Sequence, residues 1–127
     1  MSRMAPAPGA TTAPATGVIV VLTNLPDRAA AMRLADALVE RRLAACVSIL
    51  AGCESVYRWK GAVERASEVP VLIKSTADAW PALEQAIREL HPYELPEILG
   101  LPVAVGLEAY LGWVAAEVAA PVRNIPA

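Results

Sequence analysis

The sequence predicts an α+β domain with a ferredoxin-like βαββαβ arrangement and one extra C-terminal helix. Apolar, β-branched runs and amphipathic segments follow one another in the order strand, helix, strand, strand, helix, strand, helix. The strand runs VIVVL, VLI and ILGLPV are apolar on both faces, whereas a sheet with one face in water would alternate apolar and polar residues. We therefore expect helices on one sheet face and self-association of the chain to cover the other.

The chain length and composition indicate a single folded domain. It has 127 residues, of which 56% are apolar. We expect a disordered Ala/Pro-rich tail over residues 1–16, the folded domain over 17–120 and a short tail over 121–127. The first segment has no large aliphatic residue apart from methionine, so burial cannot offset the entropy of ordering it. Its prolines also interrupt every apolar run that a signal peptide would need.

The first predicted strand, VIVVLT at residues 18–23, leads into a helix. It is followed by NLPD, where Asn24 or Asp27 can cap the helix and Pro26 suits its first turn. Apolar residues then recur at spacings of three and four, at Ala31, Leu34, Ala35, Leu38 and Val39. Charged residues lie between them, so we expect an amphipathic helix with one buried face.

The middle of the chain predicts an antiparallel hairpin. Two β-rich segments, CVSILAGCESVYRWKG and SEVPVLIKST, are joined by a turn at Lys60 and Gly61. Proline cannot donate to a sheet ladder, so Pro70 predicts a strand edge or a bulge.

A second helix, a last strand and a closing helix complete the predicted fold. The second helix has apolar residues at helical offsets, at Trp80, Leu83, Ile87 and Leu90. It must end before His91, because the residue that precedes a proline avoids the α region. PEILGLPV then predicts a strand, and LEAYLGWVAAEVA predicts a short helix.

Charge and composition argue against several classes of partner. The net charge is −2 and basic and acidic residues are interspersed, so we expect no nucleic-acid partner. The apolar runs are about half of the roughly 20 residues that span a bilayer, so we expect no membrane partner. Cys46 and Cys53 form neither a disulfide framework nor a CxxC pair, which predicts reduced structural thiols in the cytoplasm.

Three common catalytic patterns are missing from the sequence. It has no glycine-rich phosphate loop and no nucleophile elbow, and Cys46 could act with His91 only if the fold joined them. An enzyme is therefore the less favoured alternative. It would use His91 or Glu94 as general acid or base, with Lys74 as electrostatic stabiliser.

A cluster of polar and aromatic residues at strand ends is the candidate ligand site. The members predicted to bind ligand are Tyr57, Trp59, Lys74, Tyr93, Glu94 and Glu97. An ammonium at the end of an apolar strand needs an anionic partner, so we expect Lys74 near Glu94, Glu97 or a ligand oxygen. The plainer alternatives are a structural ion pair for Lys74, packing for the aromatic rings, and a cap or packed ring for His91.

Six motifs carry a family resemblance. VLTNLPD, LVERRLAACVSI, SVYRWKG, LIKST, ELHPYELPEILGLPV and YLGW, in this order, resemble the CutA family, which is named for divalent-cation tolerance. The resemblance covers about Val18 to Val118. It implies a ferredoxin-like subunit in a tight homotrimer, similar in shape to the PII signalling proteins, with a link to copper tolerance and no settled biochemical activity.

The resemblance also implies a role for the single histidine. His91 is expected at an intersubunit cleft, as a metal ligand in a weak site shared between protomers. Copper-binding members carry a cysteine at the position of Thr23 and often a histidine at that of Leu90, so copper selectivity is expected to be reduced here. We predict a trimer that binds a divalent cation such as copper, or a small ligand, with an enzyme or a scaffold for partner proteins as alternatives.

Overall fold

The computed structural model of the chain describes residues 16–119. Over that range the elements are β1 (Val18–Leu25), α1 (Arg28–Glu40), β2 (Cys46–Ile49), β3 (Cys53–Trp59), β4 (Ala62–Thr76), α2 (Trp80–Leu90), β5 (Leu99–Pro102) and α3 (Glu108–Glu117). The prediction of an α+β fold with an antiparallel sheet and three helices is confirmed. The predicted tails, apart from Thr16 at the edge of the first, lie outside the described residues.

The sheet has the strand order β2-β4-β1-β5, and β3 pairs with the first part of β4. All the strand pairs are antiparallel. The sequence had suggested one strand for the segment that contains β2 and β3, and this was wrong. β2 pairs with residues 71–74 of β4 and β3 pairs with residues 62–68, so the two short strands lie one after the other along the same edge of β4.

Pro70 lies at the break between these two ladders. It is opposite Asn24 of β1, and its carbonyl accepts a hydrogen bond from the Leu50 amide at 2.9 Å. In an antiparallel strand the N–H and C=O of one residue point to the same side, so the missing N–H of Pro70 faces the β2–β3 edge. Pro70 is therefore tolerated inside a long strand because β4 changes its partner there.

Helices α1 and α2 cover one face of the sheet and form the main core with it. The alternate residues of β1 and β4 that face the helices are buried, among them Val21, Val71 and Ile73. Asp27 caps α1 by accepting a hydrogen bond from the Ala30 amide at 2.8 Å. The predicted apolar face of α1 is buried except for Val39, which is exposed because it lies at the rim of the buried stripe, one position beyond Leu38.

The other sheet face is only partly covered within residues 16–119. At one end, Val114 and Val118 of the α3 region pack on Val18. Beyond that contact, Leu99 and Leu101 of β5 are 53% and 50% exposed. We call this the open face, and it agrees with the apolar character of both sides of the strands in the sequence.

β3 and residues 62–68 of β4 form a protruding hairpin, which we call the hairpin. Its two-residue turn is made by Lys60 and Gly61, both with positive φ (49° and 85°), as the sequence predicted. Such a turn matches the twist of the flanking strands. The hairpin stands away from the core, since Val56 and Val63 are 57% and 61% exposed.

Helix α2 ends at Leu90, and His91 follows in extended conformation with ψ 133°, as predicted from the proline after it. Residues 92–97 then form a loop that leads to β5. None of the helices in the described part of the chain is long and apolar enough to cross a membrane.

Candidate functional site

A cavity of about 800 Å³ lies between the hairpin and the 92–97 loop, and we call it the hairpin pocket. Five of the six residues predicted to bind ligand line it, namely Tyr57, Trp59, Tyr93, Glu94 and Glu97. The fold therefore brings these aromatic and acidic groups of two distant segments together around one cavity, and ligand binding by them stays a prediction.

The register of the hairpin decides which side chains face the pocket. Tyr57 and Trp59 are two residues apart in β3 and so lie on the same face. Cys53 is paired with Glu68, which places the Glu68 carboxylate on that face as well. Glu68 is the last residue of β4 that pairs with β3, and it therefore lies where the hairpin joins the rest of the sheet.

A hydrogen-bond network joins the hairpin to the loop through Glu68. The Tyr93 hydroxyl donates to Glu68 Oε2 at 2.8 Å, and the Asn24 amide donates to Glu68 Oε1 at 3.4 Å. The same Asn24 nitrogen donates to Glu97 Oε1 at 3.4 Å. Two carboxylates therefore converge on one amide at the end of β1, which holds both at the wall of the pocket.

His91 lies behind this network and does not line the pocket. It is buried, and its Nε2 is 2.7 Å from the Asn24 carbonyl oxygen. A carbonyl oxygen only accepts, so Nε2 carries the proton and donates. Nδ1 accepts from the Tyr93 amide at 3.2 Å, and the two rings are 4.8 Å apart between centroids. Both ring nitrogens are thus engaged in holding Asn24 and Tyr93.

The protonation of this network follows from burial and from the charge of Glu68. Burial lowers the pKa of His91, and the bond to the Asn24 carbonyl and the negative charge of Glu68 partly oppose that shift. Burial raises the pKa of Tyr93, and the hydrogen bond to Glu68 and its charge raise it further. Around neutral pH His91 is therefore neutral and Tyr93 is a hydrogen-bond donor.

Lys74 does not join the pocket, and its predicted pairing with Glu94 or Glu97 is wrong within the chain. Its ammonium donates to Cys46 Sγ at 3.8 Å and to Ser48 Oγ. The cause is distance along β4: Lys74 is six residues beyond Glu68, which is roughly 20 Å at the rise of an extended strand. Cys46 is held beside Lys74 on the neighbouring strand.

Comparison with known proteins identifies the family. The profile of the CutA1 divalent ion tolerance proteins matches residues 19–117. The Divalent-cation tolerance protein CutA of Thermus thermophilus is 48% identical over 94 residues, which are 74% of this chain and 91% of the relative. The chain belongs to the CutA1 family. A second relative with the same name, from Pectobacterium atrosepticum, is 47% identical over 100 residues, or 79% of this chain and 91% of that relative.

Solved CutA1 structures have the same fold. The divalent cation tolerance protein of Thermus thermophilus matches with a TM-score of 0.79 at 44% identity, over 80% of this chain and 99% of that one. CutA1 from the psychrotrophic bacterium Shewanella matches with a TM-score of 0.80 at 38% identity, over 87% of this chain and 100% of that one. The sequence identities of these matches are well above those of proteins that share only a fold. They confirm the family resemblance that the motifs predicted.

The two positions at which copper-binding CutA members carry Cys and His lie apart from the pocket wall. Thr23 is fully buried on the core face of β1, opposite Val71, and its hydroxyl has no hydrogen-bond partner in the described part of the chain. Side chains alternate along a strand, so Asn24 faces the pocket and Thr23 faces the helices. Leu90 is partly exposed at the end of α2.

No group of three or more His, Cys, Asp or Glu side chains within residues 16–119 is placed to hold a metal ion. Binding of a metal by His91 stays a prediction, and in this arrangement it would require His91 to release the Asn24 carbonyl or the Tyr93 amide. The carboxylates of Glu68, Glu94 and Glu97 are the charged groups that the CutA1 pocket offers directly.

Sequence reasoning missed Asn24 and Glu68 as pocket residues. Glu68 could have been found, because a two-residue turn at Lys60 and Gly61 fixes the hairpin register and puts Glu68 on the face of Tyr57 and Trp59. Asn24 could not, since its place depends on pairing between strands that are distant in the sequence.

Proposed function

We propose that this CutA1 protein is a non-catalytic binding protein that holds a small ligand in the hairpin pocket of each subunit of a homotrimer. The observation that supports the proposal most is the pocket, with its volume of about 800 Å³ and its converging aromatic rings and carboxylates. Clefts of this size are typical of small-molecule sites. The network through Glu68 also fixes the polar groups before a ligand arrives, which lowers the entropic cost of binding.

The homotrimer is supported by the apolar surface that the isolated chain leaves exposed. Besides the open face, Val105 and Leu107 before α3 are 84% and 75% exposed. Apolar area of this extent is unusual for a monomer, and burial between ferredoxin-like subunits in a PII-like trimer would remove it from water. We also propose that this trimer is cytoplasmic, because the thiols of Cys46 and Cys53 are free.

Sedimentation velocity tests the trimer. Leu101→Glu places a charge on the open face and is expected to dissociate the assembly, whereas Met32→Glu changes an exposed residue of α1 and serves as the control. A wild-type protein that sediments as a folded monomer at micromolar concentration would contradict the trimer.

A thermal-shift screen of metabolites and metal salts tests ligand binding. Compounds that stabilise the wild type are repeated with Glu68→Gln and with Glu54→Gln, which changes a carboxylate on the other face of the same hairpin. Loss of the shift in Glu68→Gln alone supports binding in the pocket. If no compound shifts the melting temperature, the scaffold alternative is favoured. If a compound is converted to product, the enzyme alternative is favoured.

A divalent cation is the second candidate ligand. The names of the relatives support it, and so does the convergence of the Glu68 and Glu97 carboxylates on Asn24. Carboxylate oxygens suit hard ions such as Mg²⁺ and Mn²⁺ better than copper, whose preferred thiolate is not offered by Thr23. Calorimetric titration with MgCl₂, MnCl₂ and CuCl₂ of the wild type, Glu97→Gln and His91→Ala separates carboxylate binding from histidine binding.

The enzyme alternative has less support, because one of its three predicted residues lies away from the other two within the chain. Lys74 was to stabilise charge beside His91 or Glu94, and its hydrogen bonds to Cys46 and Ser48 hold it elsewhere. His91 has both nitrogens engaged, so a role as general base would require it to break a bond first.

A further inference from the structure

The charged side chains that line the hairpin pocket all have one sign, although the Lys60 ammonium lies nearby on the Trp59 ring. Three glutamates, Glu68, Glu94 and Glu97, line it, and none of its lining residues is a lysine, an arginine or a histidine within the described range of the chain. Burial raises the pKa of the Tyr93 hydroxyl, and the hydrogen bond to Glu68 and the negative charge of Glu68 raise it further. An anionic ligand would meet repulsion here, and a cation would meet attraction.

The aromatic rings of the pocket favour the same charge. Tyr57, Trp59 and Tyr93 present π systems, whose faces attract cations. One such contact already exists within the chain, because the Lys60 ammonium lies 5.4 Å from the centroid of the Trp59 ring. This contact shows that the Trp59 ring binds an ammonium, and a ligand ammonium on the same face would take the place of Lys60.

The remaining walls suit an organic cation better than a bare metal ion. Ala66 and Leu95 add apolar surface, which can bury methylene groups and gives nothing to a hydrated ion. The volume of about 800 Å³ far exceeds a metal coordination sphere, and the described residues offer no three-group metal cluster. The pocket combines carboxylates, ring faces and aliphatic surface, which are the three elements that recognise alkylammonium groups.

Building on the proposed function, we propose that the ligand of the hairpin pocket is an organic amine that is protonated at neutral pH. Its ammonium lies between the ring of Trp59 and the carboxylates of Glu68 and Glu97, and its aliphatic part lies against Ala66 and Leu95. Two features of the lining, the glutamates and the aromatic rings, select this class.

Isothermal titration of the full-length protein tests the class of ligand with three probes of similar length. Spermidine is the amine, 1,8-octanediol is the uncharged analogue and suberate is the anion. Spermidine is expected to bind saturably, and the diol and suberate are expected to bind at least about tenfold more weakly, which is about 1.4 kcal/mol.

Matched variants locate the binding site. Glu68→Gln and Trp59→Leu should each weaken spermidine binding at least about tenfold, while Glu54→Gln on the opposite hairpin face should change it by less than about twofold. Circular dichroism at each titration temperature verifies that the variants are folded. Because Trp59 is near the hairpin tip, its substitution tests the pocket even if Glu68→Gln is unstable.

The failures of the two proposals differ. Suppose that Glu68→Gln weakens binding of the diol, suberate or a metal salt, and that spermidine does not bind. The proposal of an amine ligand is then wrong, and the proposal of ligand binding in the hairpin pocket is kept. Spermidine binding that Glu54→Gln weakens as much as Glu68→Gln would show general attraction to acidic surface, and would overturn the amine site. If neither the metabolites, the metal salts nor the three probes bind, the binding function itself is wrong.

Discussion

β4 is one continuous strand whose two halves lie in different surroundings. In the core half, residues 71–76, Val71, Ile73 and Ser75 are fully buried, and the strand has β1 and β2 as neighbours. In the hairpin half, residues 62–68, the only strand partner within the described residues is β3, and most side chains are exposed. The same backbone conformation thus supports a packed layer at one end and a projecting arm at the other.

Because of this difference, one half of β4 serves mainly the stability of the domain and the other half mainly the proposed binding. The core half has helices over one face and strands on both sides, so its inward side chains belong to the core that holds the domain together. The hairpin half contributes pocket walls and very little core, and its position depends on a few polar contacts at Glu68. Changes in the two halves should therefore have different consequences.

The largest expected effect is a cavity in the core half. Ile73→Ala should lower the free energy of unfolding by about 2–5 kcal/mol, because it removes buried methylenes from a site that is closed on all sides. The matched change in the hairpin half is Val63→Ala, with an expected loss of less than about 0.5 kcal/mol in the absence of subunit contacts. Urea unfolding at equal protein concentration measures both, and similar losses would show that the hairpin is buried in the assembly.

A smaller effect is expected where the two halves meet. Tyr93→Phe removes the hydroxyl that donates to Glu68, and a hydrogen bond to a charged acceptor is worth about 1.5 kcal/mol or more when partly buried. Hydrogen exchange of the hairpin amides should become faster, while exchange in the core half stays slow. Tyr57→Phe removes a hydroxyl from the same pocket as the control. Equal exchange in wild type and Tyr93→Phe would mean that Glu68 does not anchor the hairpin.

Acid should weaken the same junction through His91. The pKa of His91 is lowered from 6.5 in the folded protein, so the unfolded chain binds its proton first as pH falls. Stability should be complete above pH 6.5 and should decrease as pH falls through 6.5 toward the lowered pKa of His91, because burial disfavours the charged ring and protonated Nδ1 can no longer accept from the Tyr93 amide. His91→Gln should flatten this part of the profile of unfolding free energy against pH. Parallel profiles for the two proteins would assign the acid sensitivity to other groups.

The smallest expected changes in the free energy of unfolding come from removing either of two buried hydroxyls on the core face. Thr23→Val removes a hydroxyl without a hydrogen-bond partner in the described range, and the protein should be unchanged or up to about 1 kcal/mol more stable. Ser75→Ala removes a hydroxyl that donates to the Leu43 carbonyl at 2.7 Å, and should cost about 1 kcal/mol. Thermal unfolding of both variants checks the pair. A clear loss in Thr23→Val would indicate that Thr23 has a partner in the assembly.

Local signals in the sequence were enough to predict helix ends and the hairpin turn. The Asp27 cap, the end of α2 before Pro92 and the turn at Lys60 and Gly61 each depend on neighbouring residues, and all three are observed. The aromatic and acidic pocket residues were found because they belong to family motifs whose residues the fold gathers.

Contacts that depend on register between distant segments were not predictable. The misplaced Lys74 shows this, because its distance from Glu94 is set by how far β4 runs beyond the hairpin. Asn24 was missed for the same reason, and the place of Thr23 on the core face likewise depends on the pairing of β1 with β4. The division into β2 and β3 follows from the change of partner at Pro70, which no local pattern reveals.

The central position of β1 also affects how the chain folds during synthesis. β1 pairs with residues 69–76 on one side and with residues 99–102 on the other, so β1 leaves the ribosome well before either of the segments that pair with it. Contacts so distant in sequence close slowly. During that time an apolar strand with two unpaired edges is exposed to other nascent chains. We expect VIVVLT to be the segment on which chaperone protection of the newly made protein depends most.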